Sequence, residues 1–321
     1  MQIGPLNIAG DLVLAPMAGV TDWAFRSVCA QLGAAVTVTE MVSSRALVYH
    51  DKKSLRLLRK TPAELCGAQL FGNDPAVMAE AAALALEESR ADFIDLNMGC
   101  PMPKIVGNGD GCALMRDEAL AARIVEAVCG AVSVPVTVKM RKGWDKGSVN
   151  CVSLAQAVEA AGASAVTVHG RTKTMLYSGV ADWDAIRAVV EAVKIPVIAN
   201  GDVFDETAAL RCKARTGAAG YMIGRAAFGD PWIFQRVQAA LRGEAVPERL
   251  PLDARMDTAL RQIELAAEDK GEHIACLEAR KHLAWYLRGV AYSGYYKEKI
   301  SAISTIDEVY TIINGIKRDL K

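Results

Sequence analysis

The stretch Val134-Pro135-Val136-Thr137-Val138-Lys139 is a run of β-formers around one proline, ended by a cation. A run this short and this apolar reads as a strand buried on both faces, as in a parallel sheet covered by helices. Seven similar runs are spread along the chain, at residues 12–15, 36–39, 65–70, 93–96, 165–168, 195–199 and 220–223. Between them lie segments with helical patterning, at residues 22–32, 75–89, 117–131, 151–161, 182–193 and 205–214. Several of these open on an aspartate or a proline, which are signals of a helix N-terminus. Residues 43–59 are the least regular of the intervening segments. Eight strands alternating with helices predict an α/β fold closed as a TIM (β/α)8 barrel. The open doubly wound alternative lacks its fingerprint, because the first turn, Pro16-Met17-Ala18-Gly19, is not GxGxxG.

What stands at the ends of the runs supports the barrel. Pro16, Glu40, Gln69, Asn97, Lys139, His169, Asn200 and Gly224 mark them in order. Apolar strands that each finish on a polar or backbone-exposing residue describe the C-terminal mouth of a barrel, where active sites sit. The chain has 321 residues, and a barrel takes ~250 of them. After Leu241 the strand signal stops, and Gly243-Glu244-Ala245-Val246-Pro247 reads as a linker. The remainder is helical in pattern, with turns expected at Gly271, Gly294 and Gly315. The expected division is a barrel over residues 1–242 and a small all-helical C-terminal domain over residues 248–321.

Composition narrows the function. Lys plus Arg and Asp plus Glu each total 37, so overall charge excludes polyanion binding by net charge and leaves only local basic faces. The 8 cysteines include no CxxC pair and no Cys/His cluster at metal-ligand spacing. This is the usage of a reducing cytosol, with no metal expected. Arg123 and Glu126 interrupt the best apolar window, and residues 1–10 have neither a basic nor an apolar leader region. No membrane association is expected, and the expected location is cytoplasmic.

Cys100, in Asn97-Met98-Gly99-Cys100-Pro101, stands between a glycine and a proline directly after the fourth strand, which presents its thiol at the mouth. The other cysteines read as small core residues. The Gly107-x-Gly109-x-Gly111 stretch ahead of Cys112 looks like a phosphate loop but follows no strand directly, and reads as a flexible loop. Lys139, with Arg141 on the same strand face, suits either a Schiff-base nucleophile or the counter-charge of a bound anion. His169-Gly170-Arg171 ends the sixth strand, where a histidine is either a hydrogen-bonded structural residue or a catalyst. Asn200-Gly201-Asp202 and Gly224-Arg225 follow strands seven and eight, where barrels commonly bind phosphate through backbone N–H groups and a cation.

In the C-terminal part, Arg280, Lys281, Arg288, Lys297 and Lys299 face the single Glu298, with Trp285, Tyr286, Tyr292, Tyr295 and Tyr296 interleaved. Cations for phosphates and π faces for unstacked bases suit RNA, although an amphipathic helix with Trp285 in its core has the same look. A second basic stretch, Lys52, Lys53, Arg56, Arg59 and Lys60, reads as a solvated face.

Together these motifs resemble the tRNA-dihydrouridine synthases, most closely the bacterial B-type subgroup, over nearly the whole chain. Pro16-Met17-Ala18-Gly19-Val20-Thr21-Asp22 is similar to the family's flavin-binding turn, and Asn97-Met98-Gly99-Cys100-Pro101 to its catalytic loop. Lys139-Met140-Arg141-Lys142-Gly143-Trp144, His169-Gly170-Arg171-Thr172, Asn200-Gly201-Asp202 and Gly224-Arg225 are similar to its later strand-end motifs. Ala279-Arg280-Lys281-His282 followed by Trp285-Tyr286 resembles the subgroup's RNA-binding helical domain.

The resemblance implies FMN in the barrel mouth, reduced by NADPH (or NADH), and reduction of a uridine in tRNA. It implies hydride transfer from flavin N5 to uracil C6, with Cys100 as proton donor at C5. It places Pro16, Met17, Ala18, Gln69, Lys139, His169, Asn200, Gly201, Asp202, Gly224 and Arg225 on the cofactor. Asn97 is implied to meet the uracil, Arg171 the flavin phosphate or tRNA, and Arg280, Lys281, Trp285 and Arg288 the tRNA. NADPH and tRNA are expected to use one flavin face in turn. Three other readings share some of these residues: an FMN barrel acting on a free pyrimidine, of the dihydroorotate or dihydropyrimidine dehydrogenase type, a Lys139 Schiff-base lyase or isomerase, and an RNA-binding protein without catalysis. The helical domain separates the first from the tRNA enzyme, a flavin spectrum the second, and the Cys100 and Lys139 pair the third.

Overall fold

The computed structural model describes residues 1–61 and 64–320. The chain opens with an antiparallel pair, β1 (Gln2–Ile3) and β2 (Leu6–Asn7). Parallel strands follow: β3 (Leu12–Leu14), β4 (Thr37–Val38), the short β5 (Val42–Ser43), β6 (Cys66–Phe71) and β7 (Phe93–Met98). The last four are β8 (Val136–Gly143), β9 (Ala165–Thr172), β10 (Val197–Asn200) and β11 (Gly220–Ile223). They pair in the order β3-β11-β10-β9-β8-β7-β6-β4, with β5 also on β6. The ring closes where Val13 bridges Val36, Leu14 N donating to Val36 O at 2.9 Å. The eight-stranded barrel read from the sequence is the fold, and helices follow each strand around it.

The strand runs divide by parity, since successive side chains point to opposite faces. Leu12, Leu14, Ile94, Leu96, Val136 and Val138 point outward into one core with the surrounding helices. Each such burial contributes ~1.5–3 kcal/mol. Val13, Phe93, Ala165, Ile198 and Met222 point inward and make a second core at the barrel floor with Ile3 and Ile8 of the opening hairpin. The Phe93 ring fills the floor because Gly67 stands opposite it: a Cβ on Gly67 would lie 2.2 Å from that ring. Toward the C-terminal ends the inward positions turn polar, with buried Gln69, Asp95, Asn97, Thr137, Thr167, His169 and Asn200. Asp22, Asp74, Asp117, Asp182 and Asp205 cap the helices that follow them, their carboxylates accepting first-turn N–H groups.

Several boundaries differ from the sequence reading. β8 starts at Val136, after Pro135, and runs to Gly143, while β9 runs to Thr172. Lys139, Arg141, His169 and Arg171 therefore lie within strands, because these two strands pair on past the barrel rim. Residues 43–59 form two short helices, Ser44–Val48 and Lys52–Leu57. Gly315 is no turn: it lies inside the helix Ile306–Asp319, where its missing side chain admits the Tyr296 ring. Gly294 is the first residue of the helix Gly294–Ser301, and Gly271 separates two helices at φ 82°. The stretch before Cys112 is not an open loop. It folds into the helical turn Pro103–Val106 and the 3-10 helix Gly111–Arg116, whose Cys112 N donates to Cys100 O at 3.0 Å.

The helix Ile233–Arg242 is the last of the barrel, and no regular structure follows until Leu252–Lys270. That helix packs with Glu272–Tyr286, Gly294–Ser301 and Ile306–Asp319 around Met256, Ile263, Leu283, Ile300 and Ile313, a core that also takes in Trp232 from the barrel side. Contacts tie this bundle to the first βα unit and to the segment after β11. Lys270 pairs with Asp22, Lys281 Nζ donates to Gly19 O, and Trp285 stacks on Phe228 with ring centroids 4.2 Å apart. Lys321, the end of the expected helical domain, lies outside the described residues.

Candidate active site

The C-terminal ends of the barrel strands surround a cavity of about 420 Å³, within the size range of small-molecule and cofactor sites. Its wall includes Pro16, Met17 and Ala18 after β3, Gln69 of β6, Asn97 and Cys100 at the end of β7, and Lys139 of β8. His169, Asn200, Gly201, Asp202, Gly224 and Arg225 complete it. All the barrel residues expected at the site, apart from Arg171, line this one cavity.

Strand register explains the assembly. Gln69 sits beside Asp95, Asp95 beside Thr137, Asn97 beside Lys139, Arg141 beside His169, and His169 beside Asn200. All are inward positions of neighbouring strands, so a two-residue spacing in each strand becomes a continuous belt in space. Asn97 Oδ1 accepts the N–H groups of Gly99 at 3.1 Å and Cys100 at 2.8 Å, which folds the loop so that Cys100 borders the cavity. Lys139 Nζ donates to Asn200 Oδ1 at 3.2 Å. The N–H of Gly19 donates to the buried Glu40 carboxylate, which fixes the turn carrying Pro16–Ala18 from below.

The electrostatics are those of a cationic pocket. Burial, reinforced by Arg141, lowers the Lys139 ammonium to about 8. Burial and four nearby cations push His169 far below its ordinary range, leaving the imidazole neutral. Burial raises the Cys100 thiol, so it is protonated at neutral pH, and pushes Cys112 up to about 12. Lys139, Arg141 and Arg225 surround a space whose wall also carries the neutral amides of Gln69, Asn97 and Asn200, the neutral His169 imidazole and the Cys100 thiol, an arrangement that suits an anionic ligand. Among the described residues the one carboxylate in the wall, Asp202, is turned to Arg171 at 2.8 Å.

A profile of the family described as Dihydrouridine synthase (Dus) matches residues 13–319. The chain belongs to the dihydrouridine synthase family. It is 42% identical over 309 residues to "tRNA-dihydrouridine synthase B" of Pseudomonas aeruginosa, covering 96% of this chain and 92% of that one. It is 40% identical over 317 residues to the protein of the same name from Vibrio cholerae, covering 98% of both. A "Probable tRNA-dihydrouridine synthase" of Rickettsia conorii is 41% identical, covering 95% of this chain and 92% of that one. Among solved structures, a 2-naphthoyl-CoA reductase superposes with a TM-score of 0.59 at 11% identity, covering 76% of this chain. Histamine dehydrogenase from Rhizobium superposes at 0.58 and 14% identity, covering 83%. This chain spans about half of each, 52% and 50%, and these likenesses speak to the fold.

In this member of the dihydrouridine synthase family, the remaining expected residues are divided. Arg171 is buried and engaged by Asp202, Ser178 O and Gly179 O, so its guanidinium braces the loop after β9. Arg280 donates twice to Ile303 O, and Lys281 to Gly19 O. Arg288 is exposed and lines a second cavity of about 700 Å³, which adjoins the first through Phe204, Arg225 and Phe228. The wall of that groove also holds Arg249, Arg255 and Trp285. Arg59 and Lys60 are held by Asp269 and Asp92, as befits a surface face. His282 is a core residue bonded to Gln262.

Sequence reasoning missed Asp95, Tyr177 and the Arg249–Arg255 side of the groove. Asp95 carried a signal, a charge inside an otherwise apolar strand at the same parity as Asn97. Tyr177 carried none. It is half-exposed over the cavity, with Arg225 4.9 Å and Arg141 5.6 Å from its ring centre.

Proposed function

We propose that this chain reduces the C5=C6 bond of uridines in tRNA to 5,6-dihydrouridine, with FMN held in the mouth cavity and NADPH (or NADH) as reductant. The observation that carries the reading is the cavity itself. In a dihydrouridine synthase chain it joins a protonated Cys100 thiol to a half-buried Lys139 cation and to the amides of Gln69 and Asn97. Family membership and relatives named for action on tRNA support the substrate.

FMN fits the residues present. The half-buried Lys139 ammonium asks for an anionic partner such as the pyrimidine edge of a reduced flavin. Gly201, at φ 109°, and Gly224 beside Arg225 offer backbone and cation to a phosphate. Gln69, Lys139, His169, Asn200–Asp202, Gly224 and Arg225 would hold the group, with Pro16, Met17 and Ala18 along its side. Bound there, FMN supplies the hydride for uracil C6.

Cys100 delivers the proton to C5, as a general acid whose burial keeps the proton in place until substrate arrives. Arg141 and Lys139 then face the thiolate that is left, both acting to stabilise it. Asn97, braced by the Gly99 and Cys100 N–H groups, offers its amide to the uracil edge. Extracting a stacked uridine costs a few kcal/mol. The arginine groove beside the mouth offsets part of it through phosphate contacts. Residues 1–242 form the catalytic barrel in this reading and 248–321 the tRNA-binding domain, with NADPH and tRNA taking turns at the single mouth. Among the described residues no helix is long and apolar enough to cross a membrane, and we place the enzyme in the cytoplasm with its tRNA substrate.

The test is a visible spectrum of the purified protein, followed by a dihydrouridine assay on tRNA from cells lacking it, with NADPH. A flavin spectrum and dihydrouridine at a defined position support the reading. Flavin with turnover of a free pyrimidine and none of tRNA overturns it.

A further inference from the structure

Barrel interiors are mostly filled by branched apolar side chains, yet a carboxylate sits in the middle of this one. Asp95 of β7 lies in register between Gln69 of β6 and Thr137 of β8 and is 3% exposed. Its Oδ1 accepts from Thr137 Oγ1 at 2.5 Å and its Oδ2 from Gln69 Nε2 at 2.6 Å. An ionised carboxylate can only accept. Gln69 must therefore turn its NH2 toward Asp95 and its Oε1 away, where that oxygen accepts from Asn97 Nδ2 at 2.8 Å. Asn97 in turn has its Oδ1 free for the Gly99 and Cys100 N–H groups. One buried charge thus orients a head-to-tail chain of hydrogen bonds that ends on the backbone of the cysteine loop.

We propose that Asp95 is a positioning residue, whose carboxylate sets the direction of the Gln69 and Asn97 amides and so holds the Cys100 loop against the cavity. Its consequence for catalysis rests on the function proposed above, while the chain itself does not. An amide whose partner no longer dictates donor and acceptor can turn over, which would present oxygen where the cavity now meets NH2. The groups facing Asp95 are Gln69 from β6 and Thr137 and Lys139 from β8, and Lys139 is the one charge among them in the described residues. Burial raises Asp95 to about 6, while the Thr137 and Gln69 hydrogen bonds favour its charged form. Protonation would turn one of its oxygens from acceptor into donor and remove the direction.

The test uses the FMN-loaded full chain with ¹⁵N-labelled Gln and Asn. The Gln69 and Asn97 side-chain amides, assigned by their loss in Gln69→Ala and Asn97→Ala, are followed by NMR across roughly pH 5 to 8. The two are expected to move together with a midpoint near about 6. In Thr137→Val, which removes a donor favouring the charged carboxylate, the shared midpoint rises. In Asp95→Asn it is absent, and turnover on tRNA falls at least about tenfold with KM within about twofold. Independent titration of the two amides, a midpoint persisting in Asp95→Asn, or wild-type turnover in that variant overturns the proposal. A wild-type protein with the shared titration but no uridine reduction leaves the positioning chain standing and removes the function.

Discussion

Lys139 Nζ donates to Asn200 Oδ1 at 3.2 Å, and the Asn200 amide donates onward to Met222 O at 2.9 Å. The ammonium thus rests on a neutral, fixed oxygen, with its other protons toward the cavity. Burial and Arg141 lower it to about 8, against an ordinary lysine near ~10.4. Between those values the unfolded chain binds the extra proton and the native one does not, so stability rises as pH climbs through that window. Below about 8 the partly desolvated cation is a net cost to the fold. Lys139→Met is accordingly expected to match or exceed wild-type stability at neutral pH, by up to roughly 1–3 kcal/mol, with the advantage shrinking as pH approaches ~10. Flavin affinity and turnover should both fall at least about tenfold. Thermal melts at two pH values with a flavin titration check this, and a clearly destabilised Lys139→Met would contradict it.

Burial raises the Cys100 thiol above its ordinary value, against the Met102 N–H, Arg141 and Lys139, so the thiol keeps its proton at neutral pH. Removing a positioned general acid costs about 10²–10⁴-fold in rate. Cys100→Ala is expected to lose that much turnover on tRNA while keeping its bound flavin and its affinity for tRNA. Stopped-flow oxidation of the NADPH-reduced enzyme on mixing with tRNA reads the step directly. Unchanged oxidation and product formation in the variant would remove Cys100 from the chemistry.

The barrel was legible because its signal is local. Each strand is a short apolar run, and each run ends on a residue that the mouth requires. The mouth cavity was legible to the same depth: Cys100, Lys139, His169 and Asn200 each stand at or just past the end of an apolar run, and all four line it. What stayed hidden depends on partners far apart in sequence. Arg171 and Arg280 look free in the chain, but Asp202 and Ile303 O engage them only after folding. Arg249 lies just past the expected linker, before the first helix of the C-terminal domain, and it joins Arg225 and Arg288 only through the way the helices dock. Gly315 reads as a breaker, and only the neighbouring Tyr296 ring shows why a helix keeps it. In β8 and β9 the apolar signal stops before the strand does, because these two pair with each other past the rim.

Arg26, on the helix Trp23–Gln31, is fully buried, with Nε on Glu64 Oε1 at 2.9 Å, Nη1 on Thr21 O at 3.0 Å and Nη2 on Arg59 O. Glu64 is buried as well and also accepts the Thr37 hydroxyl. Arg26→Met leaves that carboxylate without its cation, which costs about 3–5 kcal/mol. Adding Glu64→Gln to Arg26→Met should recover part of the loss, because the uncompensated charge is gone. Urea melts of the two variants measure this, and equal stability of single and double variants would show that the cost is packing alone.

The arginine groove makes a prediction separable from the chemistry. Arg288 and Arg249 are exposed on its wall and have no ion-pair partner among the described residues, whereas Arg236 is held by Asp230 and Glu206. A cation that meets a phosphate contributes to the salt dependence of binding by about 0.9 in log–log slope for duplex and about 0.7 for single strands. Arg288→Ala and Arg249→Ala should each lower the tRNA-binding slope by about that amount and weaken binding at fixed salt, with kcat unchanged. Arg225 lines both cavities, so Arg225→Ala should lose flavin affinity together with tRNA affinity. Filter binding across a salt series, paired with flavin titration, distinguishes the two behaviours. If Arg288→Ala and Arg249→Ala leave the slope untouched, the phosphates lie elsewhere. The helix Lys52–Leu57, with Lys52, Lys53 and Arg56 on its surface, then becomes the face to substitute next.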